Sequence, residues 1–522
     1  MKKRLILITV SLALAITVVG WFVLQKKSTR FHNIELDNRP HALNKGRQLA
    51  EKHCLSCHSM VEPDLLTREN WNYMLAYMGL FLGINDQRHV AHDAAYLKDF
   101  QMRQELISFL KLGKEKAELS NEDWQSLRNY YLFMAPEEFS FAVPDLKPFS
   151  FVKLVGFTEA RGATTLIKYD KGEVFAGLAG SNRLISFNTA GQRLRIYQLN
   201  SAPVSVHRTT EGFYVTTIGD LFGRMSEQYP SKLYYYRFGN PEPRLVLDKM
   251  KRTAHTMMVD LDNDGQEDLV QSAFGGFGGG GLYVYYRRGQ GFRKTEVTSG
   301  DSVVMTRAHD FDNDGRLDLA VLFSNVRESL QVFYNRKNRF ISEKIADFKA
   351  SYGAVSLTVA DLNDDGDVEI IVANGDTSDS GPYNFIKPYH GIRIYSRETK
   401  TSSYREIKFL PLPGATIVKA GDVDGDGDLD LVATAHFADY RQKPPAGLVI
   451  FLNDNLDFSY NRIENTDSLR FSVVEVADTN GDKQAEIFFG TANYGMKMIE
   501  DGKAETVNFD TQKPALYLVR NK

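Results

Sequence analysis

Two cysteines in 522 residues exclude a disulfide-stapled scaffold and allow at most one bridge. A net charge of −3, from 63 basic against 66 acidic residues, removes the electrostatic case for nucleic acid as a partner. With 43% hydrophobic and 25% charged residues, the chain is neither disordered throughout nor a polytopic membrane protein. Dinucleotide, flavin and molybdenum fingerprints are missing as well. The length exceeds the usual domain of about 100–200 residues, so more than one folding unit is expected.

One long apolar run is present, 20 residues from Leu5 to Leu24, behind Lys2, Lys3 and Arg4. It is long enough to cross a bilayer core of about 30 Å as a helix, and the basic start directs the downstream chain out of the cytoplasm. Residues 1–30 are therefore expected to be an uncleaved N-terminal membrane anchor, with a cleaved signal peptide as the alternative. In both cases the bulk of the chain faces the periplasm or the extracellular side.

Both cysteines fall in Cys54-Leu55-Ser56-Cys57-His58, which reads C-x-x-C-H. Two thiols at this spacing add to the two vinyl groups of one haem, and the adjacent His58 offers its imidazole to the iron. A redox pair, half of a zinc site and a simple disulfide compete. The preceding Ala42–His53 reads as helix rather than the start of a βαβ unit, and no further cysteine exists to complete a zinc site. The helix ending at His53 resembles the N-terminal helix of small monohaem cytochromes c. Ser120 caps a later helix with Asp123 three residues on, and Leu127, Tyr130, Tyr131 and Met134 recur at helical spacing. Residues 31–148 are thus expected to form an all-α cytochrome c domain. Trp71 to Met78 resembles a segment in which the methionine is the distal ligand. Met78 is the first candidate, Met74 the second, and His89 or His92 would give bis-histidine ligation.

From about residue 150 turn residues, β-branched residues and aromatics take over, and a nine-residue acidic pattern repeats. It comprises Asp260, Asp262, Asp264 and Asp268; Asp310, Asp312, Asp314 and Asp318; Asp361, Asn363, Asp365 and Glu369; and Asp422, Asp424, Asp426 and Asp430. A fifth, Asp478, Asn480, Asp482 and Glu486, has Lys483 where the others have glycine. Successive starts lie 50–61 residues apart, a spacing that suits propeller blades. Alternating carboxylates around a glycine turn are hard oxygen ligands for Ca²⁺. The flanks read as strands and position 12 of the first loop is Gln271, so EF-hands are rejected. About four calcium sites are expected, the alternative being acidic turns without metal.

These loops resemble FG-GAP/VCBS repeats, the blade type of integrin-like propellers. With two metal-free blades near Thr164 and Val204, seven blades are counted over residues 149–522. The exported part resembles bacterial proteins that join a small cytochrome c to such repeats. The expected layout is thus multidomain: a transmembrane helix, an all-α cytochrome c domain, then an all-β seven-bladed propeller with calcium-binding loops. The segment Asn374 to Gly391 resembles a long inter-strand loop of that bacterial group and is the best surface candidate beyond the haem, with a packed loop around His390 as the alternative. The expected function is single-electron transfer through one covalent haem c, with a redox partner protein docked on the propeller and no catalytic residues. A haem-linked dehydrogenase of unknown small-molecule substrate and a calcium-dependent adhesion or binding scaffold are the alternatives.

Overall fold

The computed structural model describes residues 36–521 apart from 56–57, 142–143, 221–228, 241, 276–278, 326, 338, 399–402 and 501–502. Seven four-stranded antiparallel blades occupy residues 163–198, 203–250, 253–300, 302–347, 354–411, 415–462 and 471–520. The first strands of the blades neighbour one another in a closed circle, the last packing against the first. Burial is greatest in the second strands and falls toward the rim. Second strands such as Asp318–Ser324 and Glu369–Asn374 are buried at every residue. Fourth strands such as Gly291–Gly300 and Arg193–Gln198 are largely exposed. The inner strands are sandwiched between neighbouring blades, which explains their near-continuous apolar sequence.

The two metal-free blades expected near Thr164 and Val204 begin at Ala163 and Pro203. Closure follows the less obvious route. The C-terminal strand Leu516–Arg520 is the third strand of blade 7, and the short strand Lys153–Gly156 completes that blade as its fourth. The pairing Lys153↔Arg520 through Gly156↔Tyr517 joins the two ends of the propeller and covers an edge that would otherwise stay open.

Four α-helices precede the ring among the described residues: α1 (Pro40–Cys54), α2 (Arg68–Phe81), α3 (Ala94–Phe109) and α4 (Asn121–Met134). Ser120 caps α4, its hydroxyl accepting the Asp123 N–H at 3.1 Å. Helices α1 and α4 cross at Gly46, where an added Cβ would lie 2.4 Å from the Ser126 carbonyl oxygen and 2.5 Å from Tyr130 Cβ.

The expected layout is corrected at its N-terminal side. The four helices do not stand apart as an all-α cytochrome c domain. Tyr73, Tyr96 and Phe100 share one core with Tyr383 and Phe385 of blade 5, and Ala350 packs into the cluster of Trp71, Trp124 and Tyr131. A helical segment that borrows apolar surface from the propeller is an appendage of it, and the seven-bladed ring makes up most of the chain. Among the described residues no helix is long and apolar enough to cross a membrane, and the apolar run Leu5–Leu24 lies outside them.

Replacing Gly46 by alanine is expected to force α1 and α4 apart and cost about 1–3 kcal/mol. A denaturant titration that follows the helical signal checks this, and an unchanged midpoint would contradict the close crossing.

Candidate functional site

Each acidic loop joins the first strand of a blade to the second. Its first aspartate closes the turn: Asp310 Oδ1 accepts the Asp314 N–H at 3.0 Å and Oδ2 the Gly315 N–H at 2.8 Å. Asp260 and Asp361 do the same. Asp422 accepts from Gly425 and Gly427. The glycine at position six sits at φ 81–104° in the four regular loops, a conformation that costs other residues energy. In the fifth loop Lys483 is held at φ 73°, so that turn forms with backbone strain.

The acid at position nine plays a part that its spacing does not announce. Asp318 is fully buried and both its oxygens accept backbone N–H groups, Oδ2 from Phe311 at 3.0 Å and Oδ1 from Asn335 at 2.7 Å. Asp268 and Asp430 repeat the arrangement, while Glu369 accepts from Leu362. Burial, with the other loop carboxylates adding to it, pushes Asp318 up to about 6 and Asp430 up to about 7, and Asp268 and Glu369 also rise. These residues staple the loop to the third strand of its own blade as well as facing the loop centre.

Three of the four regular loops gather an acidic triad. One carboxylate oxygen each from Asp260, Asp262 and Asp268 lies within 4.8 Å of the others, and so do those of Asp310, Asp312 and Asp318 and of Asp422, Asp424 and Asp430. In the third loop Asn363 takes the middle position and no such three-acid group forms among Asp361, Asp365 and Glu369. Asp264, Asp314 and Asp426 stand outside the triads, each accepting the backbone N–H two residues on at 2.9–3.0 Å.

The triads fit a divalent cation. Asp262 Oδ1, Asp312 Oδ1 and Glu369 Oε1 are buried carboxylate oxygens without a hydrogen-bond donor. A buried acceptor left unpaired is costly, and the hard oxygen sets suit calcium. Arg288 and Arg336, absent from the sequence reading, pair only with the outer oxygens. Arg288 Nη2 lies 2.6 Å from Asp262 Oδ2, and Arg336 pairs with Asp312 Oδ2, so the inner oxygens stay available.

A second feature missed in the sequence ties each loop to the next blade. The carbonyl after the first aspartate accepts a side-chain N–H from the third strand of the following blade. Asn335 Nδ2 donates to Leu261 O at 2.7 Å, Arg397 to Phe311 O at 2.9 Å, Asn453 to Leu362 O at 2.8 Å and Asn521 to Val423 O at 2.9 Å. The signal was a polar residue recurring at the end of an otherwise apolar third strand.

The thiol motif sits elsewhere. Cys54 is the last residue of α1, half-buried in the cluster that includes Trp71, Tyr131, Met60 and Met74, while Cys57 lies outside the described residues. His58 is partly exposed, with Nδ1 2.7 Å from the Ser59 carbonyl oxygen, which leaves Nε2 as the nitrogen able to face a ligand. The Tyr131 hydroxyl donates to Met60 Sδ at 3.8 Å. Met78 packs on the other helical cluster, against residues such as Tyr77 and Phe100, whereas Met74 touches both. Met134, read as helix packing, is 51% exposed. His89 lies 3.6 Å from Asp86, and burial lowers it to about 4.

The long loop of blade 5 is packed. His390 is fully buried, with Nε2 3.1 Å from the Ser351 carbonyl oxygen. The loop docks the helices: the Tyr383 hydroxyl donates to Asp93 at 2.8 Å and the Tyr389 hydroxyl to the Leu65 carbonyl at 2.6 Å. His309 and His436 stand in separate blades, the former against Phe311 and the latter 2.7 Å from the Phe471 carbonyl oxygen.

Residues 260–321 and 310–372 match the FG-GAP-like repeat, and residues 414–452 match the FG-GAP repeat. The chain carries FG-GAP repeats. Among solved structures it is similar to BBS1N in complex with ARL6DN, at 12% identity and a TM-score of 0.42 over 70% of this chain and 98% of that one. It is also similar to the N-terminal domain of Nup159, at 13% identity and a TM-score of 0.41 over 72% and 97%. The extracellular domain of the putative one-component system BT4673 from B. thetaiotaomicron gives 13%, 0.42, and 69% and 40%. No curated protein sequence matches the chain.

Asn335→Ala and Asn453→Ala are each expected to cost about 1–3 kcal/mol, because each takes the donor from one buried and one part-buried carbonyl. Thermal unfolding checks this, and a cost under a few tenths would contradict the latch.

Proposed function

We propose that this protein is a calcium-stiffened FG-GAP propeller that acts as a binding scaffold. The observation that carries this reading is the set of carboxylate triads repeated in blades 3, 4 and 6, two of them holding a buried, donor-less oxygen. Asp260, Asp262 and Asp268 would hold one ion, Asp310, Asp312 and Asp318 a second, and Asp422, Asp424 and Asp430 a third. Asp361, Asn363, Asp365 and Glu369 form a weaker fourth set. Bound calcium supplies fixed positive charge that offsets the crowded carboxylates. The loops stay ordered, and their rigid face is presented to a partner protein. Calcium levels outside the cytoplasm suit open loops of this kind.

Metal analysis of the purified chain is expected to give three to four calcium ions, and chelation to lower the melting temperature by several degrees. Asp312→Asn should remove about one ion. Unchanged melting on chelation would overturn the calcium reading.

A second reading rests on a separate observation, the Cys54-x-x-Cys57-His58 motif with His58 Nδ1 already engaged by the Ser59 carbonyl. Cys54 and Cys57 would carry haem through thioether bonds, and His58 would offer Nε2 as an axial ligand. Such a group supplies a one-electron store, and the propeller then positions it for a redox partner. Met78 is the first distal candidate, and Met74 and Met60 share the cluster of Cys54. Alkaline pyridine spectra of protein made with haem-attachment machinery are expected to show one covalent haem per chain, lost in Cys54→Ser with Cys57→Ser. Haem-free protein under those conditions would rule this reading out and leave the scaffold standing.

A further inference from the structure

The seven first strands share a registration mark. Each carries a one-residue bulge near its start, for example between Thr164 and Leu166, Val303 and Met305, and Ala415 and Ile417. Two residues beyond the bulge stand Lys168, His207, Arg307, Lys419 and Glu475 in blades 1, 2, 4, 6 and 7. The residue just before each one, such as Ile167, Thr306, Val418 or Val474, is buried at 8% exposure or less. Alternation along a strand therefore turns these five to the opposite side, the axis on which the first strands converge. They form one layer around that axis.

The layer holds three cations and one acid. Glu475 accepts from Lys168 Nζ at 2.9 Å and from Lys419 Nζ at 2.8 Å, so one carboxylate serves two ammonium groups. Arg307 faces His255, its Nη1 3.1 Å from the ring Nε2, and donates to the Thr306 carbonyl at 3.0 Å. Glu475 is the one acid whose charge favours the protonated forms of Arg307 and Lys419. Burial keeps His207 and His255 neutral, lowers Lys419 and brings Arg307 down to about 10. Three cations against one carboxylate leave the layer with a net positive charge, which a bound anion would offset. The layer is reachable: the side chains of Lys168 and Lys419 are 49% and 29% exposed although both stand on innermost strands.

We propose that this axial layer binds a small tetrahedral oxyanion of the phosphate or sulfate class, held by Arg307, Lys419 and Lys168. A doubly charged oxyanion matches the missing counter-charge. The guanidinium of Arg307 offers a planar fork of donors to its oxygens, and the two ammonium groups add point charge. The proposal is independent of the calcium and haem readings, since none of its residues lies in the acidic loops or the helices.

The test is calorimetric titration of inorganic phosphate, and in parallel sulfate, into the full chain, with chloride at matched ionic strength as the control. One saturable site is expected. Arg307→Gln and Lys419→Gln should each weaken it about tenfold or more, the loss for a charge-assisted contact. Because Arg307 lacks a counter-ion, its substitution should leave the melting temperature unchanged or raised. Glu475→Gln, which removes the competing carboxylate, should tighten binding. Binding of phosphate alone supports the class with added selectivity. Absence of saturable binding above the chloride control, or equal binding in Arg307→Gln and Lys419→Gln, would overturn it. Should Arg307→Gln fail to fold, Lys419→Gln gives the same reading.

Discussion

A ring of blades holds only if its two ends meet, and here four residues make the join. Lys153–Gly156 pairs with Leu516–Arg520 across almost the whole propeller sequence, so one strand from the N-terminal side finishes the last blade. The seam is reinforced at the axis, where Thr164 donates to the Ala515 carbonyl at 2.5 Å and Ser472 to the Thr164 carbonyl at 2.9 Å. An open edge would leave a row of unpaired backbone groups and free neighbouring blades to splay. Closure also fixes where the helices go. The segment just before the closing strand runs beside blade 6, Lys147 and Pro148 pairing in parallel with Asn461 and Arg462. From there the helical unit reaches back over blade 5.

Within the closed ring the acidic loops are joints between blades. The buried acid at position nine binds its own loop and third strand, and the latch side chain of the next blade takes the carbonyl beside the first aspartate. Negative charge is thereby concentrated where the ring is tightly connected. Burial and mutual repulsion raise the position-nine acids, which shows how unfavourable this is without a cation. Backbone N–H groups and the outer arginines relieve part of it. The donor-less oxygens of Asp262, Asp312 and Glu369 mark the remainder.

The repeating parts of the fold were legible because a local pattern dictates them. Asp-x-Asp-x-Asp-Gly forces a turn, apolar runs on either side force buried strands, and Ser120 with Asp123 marks a helix start. What depended on distant partners was not. Lys153–Gly156 is too short and too ordinary to read as the closing strand, since its partner lies more than 300 residues away. The helices read as an independent cytochrome c domain because their spacing is internally consistent. That reading failed because Tyr383 and Phe385, inserted into blade 5, supply part of their core. Met134 has helical spacing and still faces solvent. The axial layer was hidden for a related reason: its residues line up only when counted from the bulge of each strand, which no single strand reveals.

In an up-and-down blade the turns between strands one and two emerge on one face, and those between two and three, or between one blade and the next, emerge on the other. The acidic loops therefore occupy one face. Residues 349–352 and 376–390, which grip the helices, occupy the opposite one. Lys349 pairs with Glu62 at 2.7 Å, and Tyr352 stacks on Tyr389 with ring centres 5.0 Å apart. Beneath them Glu328 is buried, accepts the Ala354 N–H at 2.7 Å and is pushed up to about 8 by that burial. The path between the faces runs through the packed second strands of blades 4 and 5, which have no exposed residue. Close-packed strands of this kind have low compressibility and pass strain on rather than absorb it. The acidic triads at one face and the helices that carry the thiol motif at the other are thus coupled through one stiff ring, and its closure positions both.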